Sequence, residues 1–426
     1  MKFKKQLGIF LFGLCATFIA LVGALTLGIL VLLHLSVHHA IYWSLGLTSS
    51  ILSFFVFPLL RYPKPTGSFD VGTMFYTWQD TQRQEQRAEQ QVRELTVHLW
   101  APIARAQKHR SFFYFIDFIT ALHLYFKPRK ALVLSHDQPR YPLVIFSHGL
   151  KSLSAFNRAL LQDLASHGYI VVGINHTYGC FTPTLLKKTH FNFDPALALA
   201  FEQTSQEGLD AYLERLENEI ETWVTDIQFV ATKLAQLNAE ESPFVGRFNL
   251  EAIGVYGHSL GGAAAAEACR RDERFKAGIS LDGSLIKRTI GGFSKPFMFI
   301  HGSLLDTSNT HISASLGIIY RNALKTYRDH LTQFCTSLGP YGYCITLDQV
   351  GHYAFTDASL LCPLARFCLN FCTNSKHTPA VIALTNAYAQ AFFDSHLKQK
   401  DTFLRDLPFN GSFYAHKITH ITKQLY

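Results

Sequence analysis

Short runs of apolar residues alternate with longer stretches of helical periodicity through most of this chain. The run PLVIFS at residues 142–147 is continuously apolar, which is typical of a parallel strand buried on both faces. Helices are predicted at 160–166 and at 207–237, where apolar side chains recur at helical spacing. Further strands are predicted at 95–100, 169–174, 252–256, 277–281, 297–300 and 344–347. This order predicts an α/β fold, a mostly parallel sheet with helices on both faces.

The N-terminal region carries no Asp, Glu, Lys or Arg between residues 7 and 60. The apolar run at 7–33 exceeds the roughly 20 residues that cross a bilayer, and a second run at 41–60 is just long enough to return. We therefore predict a membrane region at 1–61 with two transmembrane helices, followed by one folded domain at 62–426. The alternatives are one span with an interfacial second segment, or a cleaved signal peptide, whose apolar core would be only about 7 to 15 residues long.

Basic residues flank both outer ends of this apolar region. Lys2, Lys4 and Lys5 precede it, and Arg61 and Lys64 follow it, whereas the loop between the two runs has no Lys or Arg. The positive-inside rule then places both ends, and the folded domain, on the cytoplasmic side. A single span would place the domain on the opposite face.

The net charge of +8 favours anionic partners. No nucleic-acid-binding module accompanies this charge, so we expect a lipid surface and not nucleic acid.

An apolar insertion at residues 111–126 interrupts the predicted domain. It is interpreted either as a core helix or as an interfacial helix or lid whose flanking cations reach lipid headgroups. These cations are Lys108, Arg110, Lys127, Arg129 and Lys130.

The cysteines indicate one candidate disulfide and no metal site. Cys335 and Cys344 bracket a turn-rich segment that is compatible with a disulfide in an oxidising compartment. A second group, whose spacing matches no zinc framework, is interpreted as buried thiols. It comprises Cys362, Cys368 and Cys372, close to His377.

The segment Gly257-His258-Ser259-Leu260-Gly261-Gly262 contains the pattern G-x-S-x-G. The bare pattern is common, but here a predicted strand precedes it and an alanine-rich helix follows it. Small residues in such a strand–turn–helix allow a tight turn that holds the serine hydroxyl clear of the sheet. Ser259 is therefore the candidate nucleophile of an α/β-hydrolase fold.

A serine nucleophile needs an imidazole base and a carboxylate that orients it, which follow the serine in this order: acid, then histidine. His352 lies in the loop after the last predicted strand and is the candidate base, whereas His301 is assigned a structural or pocket role. Two acids compete, Asp282 after one strand and Asp306 after the next. Chain order permits either acid.

Two backbone N–H groups must face the oxyanion that develops during attack on an ester. One is expected from Leu260, directly after the nucleophile. The other is expected from Leu150, in the turn after Ser147-His148-Gly149.

Several segments together resemble the plasma-type platelet-activating factor acetylhydrolases and their bacterial relatives, over most of residues 63–398. The segments are PKPTGSFDVGT, RELTVHLWAPI, FSHGL, LASHGYIVVGINHTY, IGVYGHSLGGAAAA, GISLDGS and GHYAF. The resemblance implies a calcium-independent serine hydrolase that removes short or oxidised sn-2 acyl chains from phospholipids. By position it implies a triad of Ser259, Asp282 and His352, with Leu150 and Leu260 at the oxyanion hole, and so favours Asp282 over Asp306.

Three features depart from that family. Leu260 stands where Phe is common, the N-terminal anchor is absent from the secreted plasma enzyme, and the segment TYGCFTPTLLKKTHFNF after His176 differs. The sequence as a whole predicts a membrane-anchored serine esterase acting on lipid esters, with no metal or organic cofactor. The alternatives are an esterase or acyltransferase for soluble or polymeric esters, and a catalytically silent lipid-binding protein.

Overall fold

The structure, a computed structural model, describes residues 62–85, 87, 91–104, 132–180, 206–240, 242–285, 292–302, 327, 329–347, 350–360 and 378–400. The strands are β1 (Asp70–Gln84), β2 (Val92–Ile103), β3 (Tyr141–Ser147), β4 (Ile170–Asn175), β5 (Phe248–His258), β6 (Phe275–Leu281), β7 (Phe297–Gly302) and β8 (Gly342–Leu347). The main helices are α1 (Arg158–Ser166), α2 (Gln206–Ala239), α3 (Leu260–Arg271) and α4 (Thr378–Leu397), and a further helical segment lies at 329–337.

These eight described strands form one sheet in the order β1-β2-β4-β3-β5-β6-β7-β8. The six strands from β4 to β8 in this order run parallel, whereas β2 is antiparallel to both β1 and β4. Parallel pairing aligns the carboxyl ends of these six strands along one edge of the sheet. The predicted α/β fold with a mostly parallel sheet is confirmed.

Each face of the sheet carries its own apolar core. On one face α1 and α4 pack on the sheet, with Leu161 and Phe392 buried against it. On the other face α2 and α3 do so, and Ile227 and the alanines of α3 are buried there. Each fully buried Leu, Ile or Phe side chain contributes roughly 1.5 to 3 kcal/mol relative to an exposed one. Helices therefore cover both faces, as predicted.

Strand β1 is the described strand that the sequence analysis did not predict, and helix α4 was not predicted either. Strand β1 lies at the edge of the sheet and pairs only with β2 among the described strands. Most of its side chains are partly exposed, so polar residues such as those of TWQDTQRQ occupy it without the alternation that identifies a half-buried strand.

Residues 62–67 had the composition of a linker, but they are held against α1. The backbone N–H of Thr66 donates to Asp163 Oδ1 at 2.6 Å, and the N–H of Gly67 donates to Ser166 Oγ at 2.9 Å. This segment is therefore part of the folded domain, because its backbone donors have partners there.

Cys335 and Cys344 form a disulfide, with their Cα atoms 5.7 Å apart. The bond joins a helical segment at 329–337 to β8. A loop of this length reduces the entropy of the unfolded chain by an amount equivalent to about 2 to 3 kcal/mol of stability.

The predicted transmembrane segments at 7–33 and 41–60 lie outside the described residues. The same holds for the insertion at 111–126 and for the cysteines between 362 and 372. Among the residues that are described, no helix has the length and apolar character needed to cross a bilayer.

Candidate active site

Ser259 lies in the sharp turn between β5 and α3. Its backbone angles, φ 57° and ψ −125°, are outside the regions that residues with a Cβ normally occupy. Two glycines allow the turn to close. A Cβ on Gly257 would lie 2.1 Å from the carbonyl oxygen of Gly261, and a Cβ on Gly261 would lie 2.2 Å from that of Ser147. The turn therefore presents the Ser259 hydroxyl at the carboxyl edge of the sheet.

Three side chains from distant parts of the chain meet at this edge. His352 Nε2 lies 2.9 Å from Ser259 Oγ, and His352 Nδ1 lies 2.5 Å from Asp282 Oδ2. The carboxylate accepts a hydrogen bond from the Nδ1–H of His352. Because the proton is on Nδ1, Nε2 carries the lone pair that faces the serine hydroxyl. The structure thus brings together Ser259, His352 and Asp282, the three residues that the sequence analysis preferred.

Asp282 directly follows β6 and is held from two sides. Its Oδ1 accepts the backbone N–H of Gly302 at 3.0 Å, while its Oδ2 faces His352. Burial alone would raise the pKa of Asp282, but the hydrogen bond and charge interaction with His352, together with the Gly302 N–H, outweigh it and lower the pKa below its usual range. The site therefore contains a carboxylate and not a carboxylic acid.

The other two residues weighed for this site have different outcomes. His301 is buried, and its Nε2 lies 2.8 Å from Thr346 Oγ1 on the neighbouring strand, which agrees with a structural role. Asp306 lies outside the described residues. The hydrogen bond that a triad acid makes, to Nδ1 of His352, is made here by Asp282.

Leu150 and Leu260, the expected oxyanion donors, are each next to a residue of the nucleophile turn or of the turn packed on it. Leu260 is the first residue of α3, so its N–H has no acceptor in the preceding turn of helix. The turn that carries Leu150 packs against the nucleophile, because a Cβ on Gly149 would lie 3.1 Å from Ser259 Cβ. Neither N–H donates to another of the described residues. Within the described part of the chain, both donors are available to a ligand beside the serine.

His258 is a neighbour of the site that the sequence analysis did not identify. Its Nε2 donates to the carbonyl oxygen of His352 at 3.1 Å, and the two rings lie 4.6 Å apart. Burial, and secondarily the charge of His352, lower the pKa of His258 to about 3. The ring is therefore neutral near pH 7 and holds the backbone of His352 in place.

Two further imidazoles, His148 and His176, lie behind the turn that carries Leu150. Their rings are 5.2 Å apart and both are fully buried. A sequence signal for them existed, because His148 directly follows one predicted strand and His176 follows another after a single residue. The register of β3 and β4 pairs Ser147 with Ile174, so the residues that follow these strands must be close together.

The low pKa of His258 predicts a pH-dependent stability. In the unfolded chain this ring takes up a proton as the pH falls through about 6.5, whereas the folded protein keeps it neutral down to a pKa of about 3. The unfolded state binds more protons in that window, so the free energy of unfolding decreases as the pH falls. The free energy of unfolding of His258→Gln, measured with urea, should depend on pH less steeply than that of the wild-type protein, by about 1 kcal/mol per pH unit between about pH 5.5 and 4. An equally steep pH dependence in both proteins would contradict the low pKa of His258.

Comparison with known proteins supports the fold. A ferulic acid esterase from Streptomyces cinnamoneus superposes with a TM-score of 0.61 at 22% sequence identity, covering 83% of this chain and 99% of that one. At this identity the likeness concerns the fold alone. It agrees with the expected α/β-hydrolase architecture.

Curated relatives match shorter segments. The platelet-activating factor acetylhydrolase of Canis lupus familiaris is 28% identical over 187 residues, which are 38% of this chain and 40% of that protein. The protein of the same name from Bos taurus is 28% identical over 159 residues, 34% of this chain and 35% of that one. The matched part of this chain thus spans less than half of either relative.

A family model is matched over a much longer part of the chain. It describes platelet-activating factor acetylhydrolase, isoform II, and it matches residues 60–405. These residues include the whole of the described sheet and every residue of the candidate site. The chain therefore belongs to the platelet-activating factor acetylhydrolase isoform II family.

Proposed function

We propose that this protein is a serine hydrolase that cleaves the carboxylic esters of lipids, preferring phospholipids with short or oxidised sn-2 acyl chains. The observation that carries the proposal is the unbroken hydrogen-bonded line from Ser259 through His352 to Asp282. Family membership supports it, since the relatives matched above bear the name of an acetylhydrolase of platelet-activating factor.

In the first half of the proposed reaction, Ser259 Oγ attacks the ester carbonyl carbon. His352 Nε2 accepts the hydroxyl proton, and Asp282 stabilises the imidazolium that forms. The tetrahedral intermediate then expels the alcohol of the lysolipid, which takes the proton from His352. The product of this half-reaction is an acyl ester on Ser259.

In the second half, water attacks the acyl ester. His352 accepts a proton from the water and returns it to Ser259 Oγ as the fatty acid leaves. The N–H groups of Leu150 and Leu260 bind the oxyanion in both halves. Removing one such donor typically costs about 3 to 4 kcal/mol of transition-state stabilisation.

The surroundings of His352 support a lipid substrate. Tyr353, the next residue, is 47% exposed, and its ring lies 5.5 Å from that of His352. An exposed aromatic ring beside the base is suited to a membrane interface, where it meets acyl chains. The net charge of +8 acts in the same direction.

The sn-2 chain length tests the substrate class. A long chain must be withdrawn from the bilayer at about 0.8 kcal/mol per CH₂, so we expect kcat/KM to be at least about tenfold higher for acetyl or oxidised short chains. The full-length protein would be assayed on phospholipids with acetyl, oxidised and long sn-2 chains, beside a soluble short-chain ester. Ser259→Ala is the control.

The assay has two outcomes that contradict the proposal. A clear preference for the soluble ester over every phospholipid would favour an esterase or acyltransferase for other esters. Activity that survives in Ser259→Ala would remove the proposed nucleophile.

The identity of the acid is tested by a matched pair of variants. Asp282→Asn should lower kcat by about 10³- to 10⁴-fold, because the amide no longer holds the productive imidazole tautomer. Asp306→Asn should change kcat little. The kcat values of the two variants on one substrate identify the acid of the triad. A large loss in Asp306→Asn and a small one in Asp282→Asn would identify Asp306.

We also propose that the N-terminal apolar region anchors the catalytic domain to a membrane. The flanking lysines and arginines favour the cytoplasmic face for two spans, whereas the Cys335–Cys344 disulfide favours an oxidising compartment. One span at 7–33 with an interfacial segment at 41–60 reconciles a cytoplasmic N-terminus with an oxidised domain. This is the arrangement that we propose.

Thiol alkylation of the protein taken directly from cells tests this arrangement. After denaturation without reductant, we expect a thiol reagent to label Cys269, a buried free thiol, but neither Cys335 nor Cys344. Mass spectrometry of the digested full-length protein would detect the labels, and Cys269 controls for complete reaction. Labelling of both Cys335 and Cys344 would instead favour the cytoplasmic face.

A further inference from the structure

A second serine–histidine–aspartate line lies buried behind the turn that carries Leu150. Ser147 Oγ is 2.8 Å from His176 Nε2, and His176 Nδ1 is 2.9 Å from Asp226 Oδ2. All three residues have a relative exposure of 0%. A hydroxyl sealed in this way cannot meet a substrate, so this line has no role as a second nucleophile.

A paired charge stabilises the buried end of this line. Arg93 approaches Asp226 with two nitrogens, Nε at 3.0 Å from Oδ1 and one terminal nitrogen at 2.6 Å from Oδ2. Burial alone would raise the pKa of Asp226, but the charge of Arg93 and the hydrogen bonds from His176 and Arg93 outweigh it and keep the carboxylate ionised. Arg83 also donates to Asp226 Oδ1 at 2.8 Å, and Arg93 also donates to Glu85 at 2.7 Å, so the two charges belong to a larger buried network.

The line continues to the oxyanion turn through His148. The backbone N–H of His176 donates to His148 Nε2 at 3.1 Å, and His148 Nδ1 donates to the carbonyl oxygen of Gly149 at 2.7 Å. These partners fix the tautomer, because Nε2 accepts and Nδ1 donates. Burial lowers the pKa of His148 to about 3, so the ring keeps this neutral form.

The Gly149 carbonyl belongs to the same peptide unit as the Leu150 N–H. In a trans peptide these two groups point in opposite directions. The N–H of Ser152 also donates to the Gly149 oxygen, at 3.0 Å, and the N–H of Lys151 donates to the Gly179 oxygen at 2.9 Å. The hydrogen bond from His148 fixes the direction of the Gly149 carbonyl. It therefore also fixes the Leu150 N–H, which points in the opposite direction.

We propose that His148 is a positioning residue that orients the Gly149–Leu150 peptide for oxyanion binding, and that the buried line of Ser147, His176 and Asp226 holds His148 in place. The inference rests on the proposed function. It explains why a charged network is maintained in the interior although burying it is costly.

Two polar substitutions of His148 separate its two hydrogen bonds. The amide nitrogen of Asn lies near the position of the imidazole Nδ1, so His148→Asn keeps a donor for the Gly149 oxygen. The amide of Gln lies near Nε2, so His148→Gln keeps the contact with His176 and loses that donor. We expect Asn to keep kcat within a few-fold of wild type and Gln to lower it about 10²-fold with KM little changed.

The inhibition constant of a transition-state analogue distinguishes a change in the oxyanion site from a general loss of stability. A trifluoromethyl ketone forms a hemiketal whose oxyanion uses the same donors, so its inhibition constant should rise in His148→Gln by about the factor by which kcat falls. The pH midpoint of kcat should stay unchanged, because Asp282 and His352 are untouched. All variants are assayed at one temperature well below their lowest unfolding midpoint.

His98→Gln is the matched control. This imidazole lies on β2 against Trp100, on the opposite face of the sheet from α2, and its Nε2 has no hydrogen-bond partner among the described residues. We expect wild-type kcat for it. Equal losses in His148→Asn and His148→Gln, or a wild-type kcat in His148→Gln, would overturn the inference. Failure of the proposed function is distinct, because the wild-type protein would then hydrolyse no ester and a fluorophosphonate would not label Ser259.

Discussion

The parallel pairing of β3 to β8 is the constraint on which the site depends. It brings the carboxyl ends of six strands to one edge, where side chains separated by 93 and 70 residues come within hydrogen-bonding distance. Ser259 and Asp282 each follow a strand directly, and both adopt positive φ angles as the chain turns out of the sheet. The sheet therefore supplies the proximity, and two strained turns supply the direction of the side chains.

The sequence predicted those parts of the molecule whose physical cause is local. A continuously apolar run identifies a strand buried on both faces, and two small residues around Ser259 identify a tight turn. The choice between Asp282 and Asp306 was not local, because both acids follow strands and the residues alone permit either. The hydrogen bond between Asp282 and His352 distinguishes them through a contact across the sheet.

The roles of most histidines could not be predicted from the sequence, because they too depend on contacts between distant parts of the chain. The chain contains 20 of them, and residue type does not indicate which ring is buried, neutral or paired. The structure separates two kinds. The side chain of His352 is 37% exposed and is accessible to small molecules, whereas that of His176 is fully buried. The same three residue types thus occur in two settings that differ in their access to water.

Strand β1 has a consequence for the behaviour of the protein at high concentration. An edge strand offers unpaired backbone groups to which another chain can add, which is the usual start of ordered aggregation. Here the pairing of β1 with β2 is irregular between Asp80 and Gln84, and the irregularity turns Arg83 inward to Asp226 at 2.8 Å. The edge is therefore neither flat nor apolar along its length, and a neighbouring molecule in solution meets a poor template for extending the sheet.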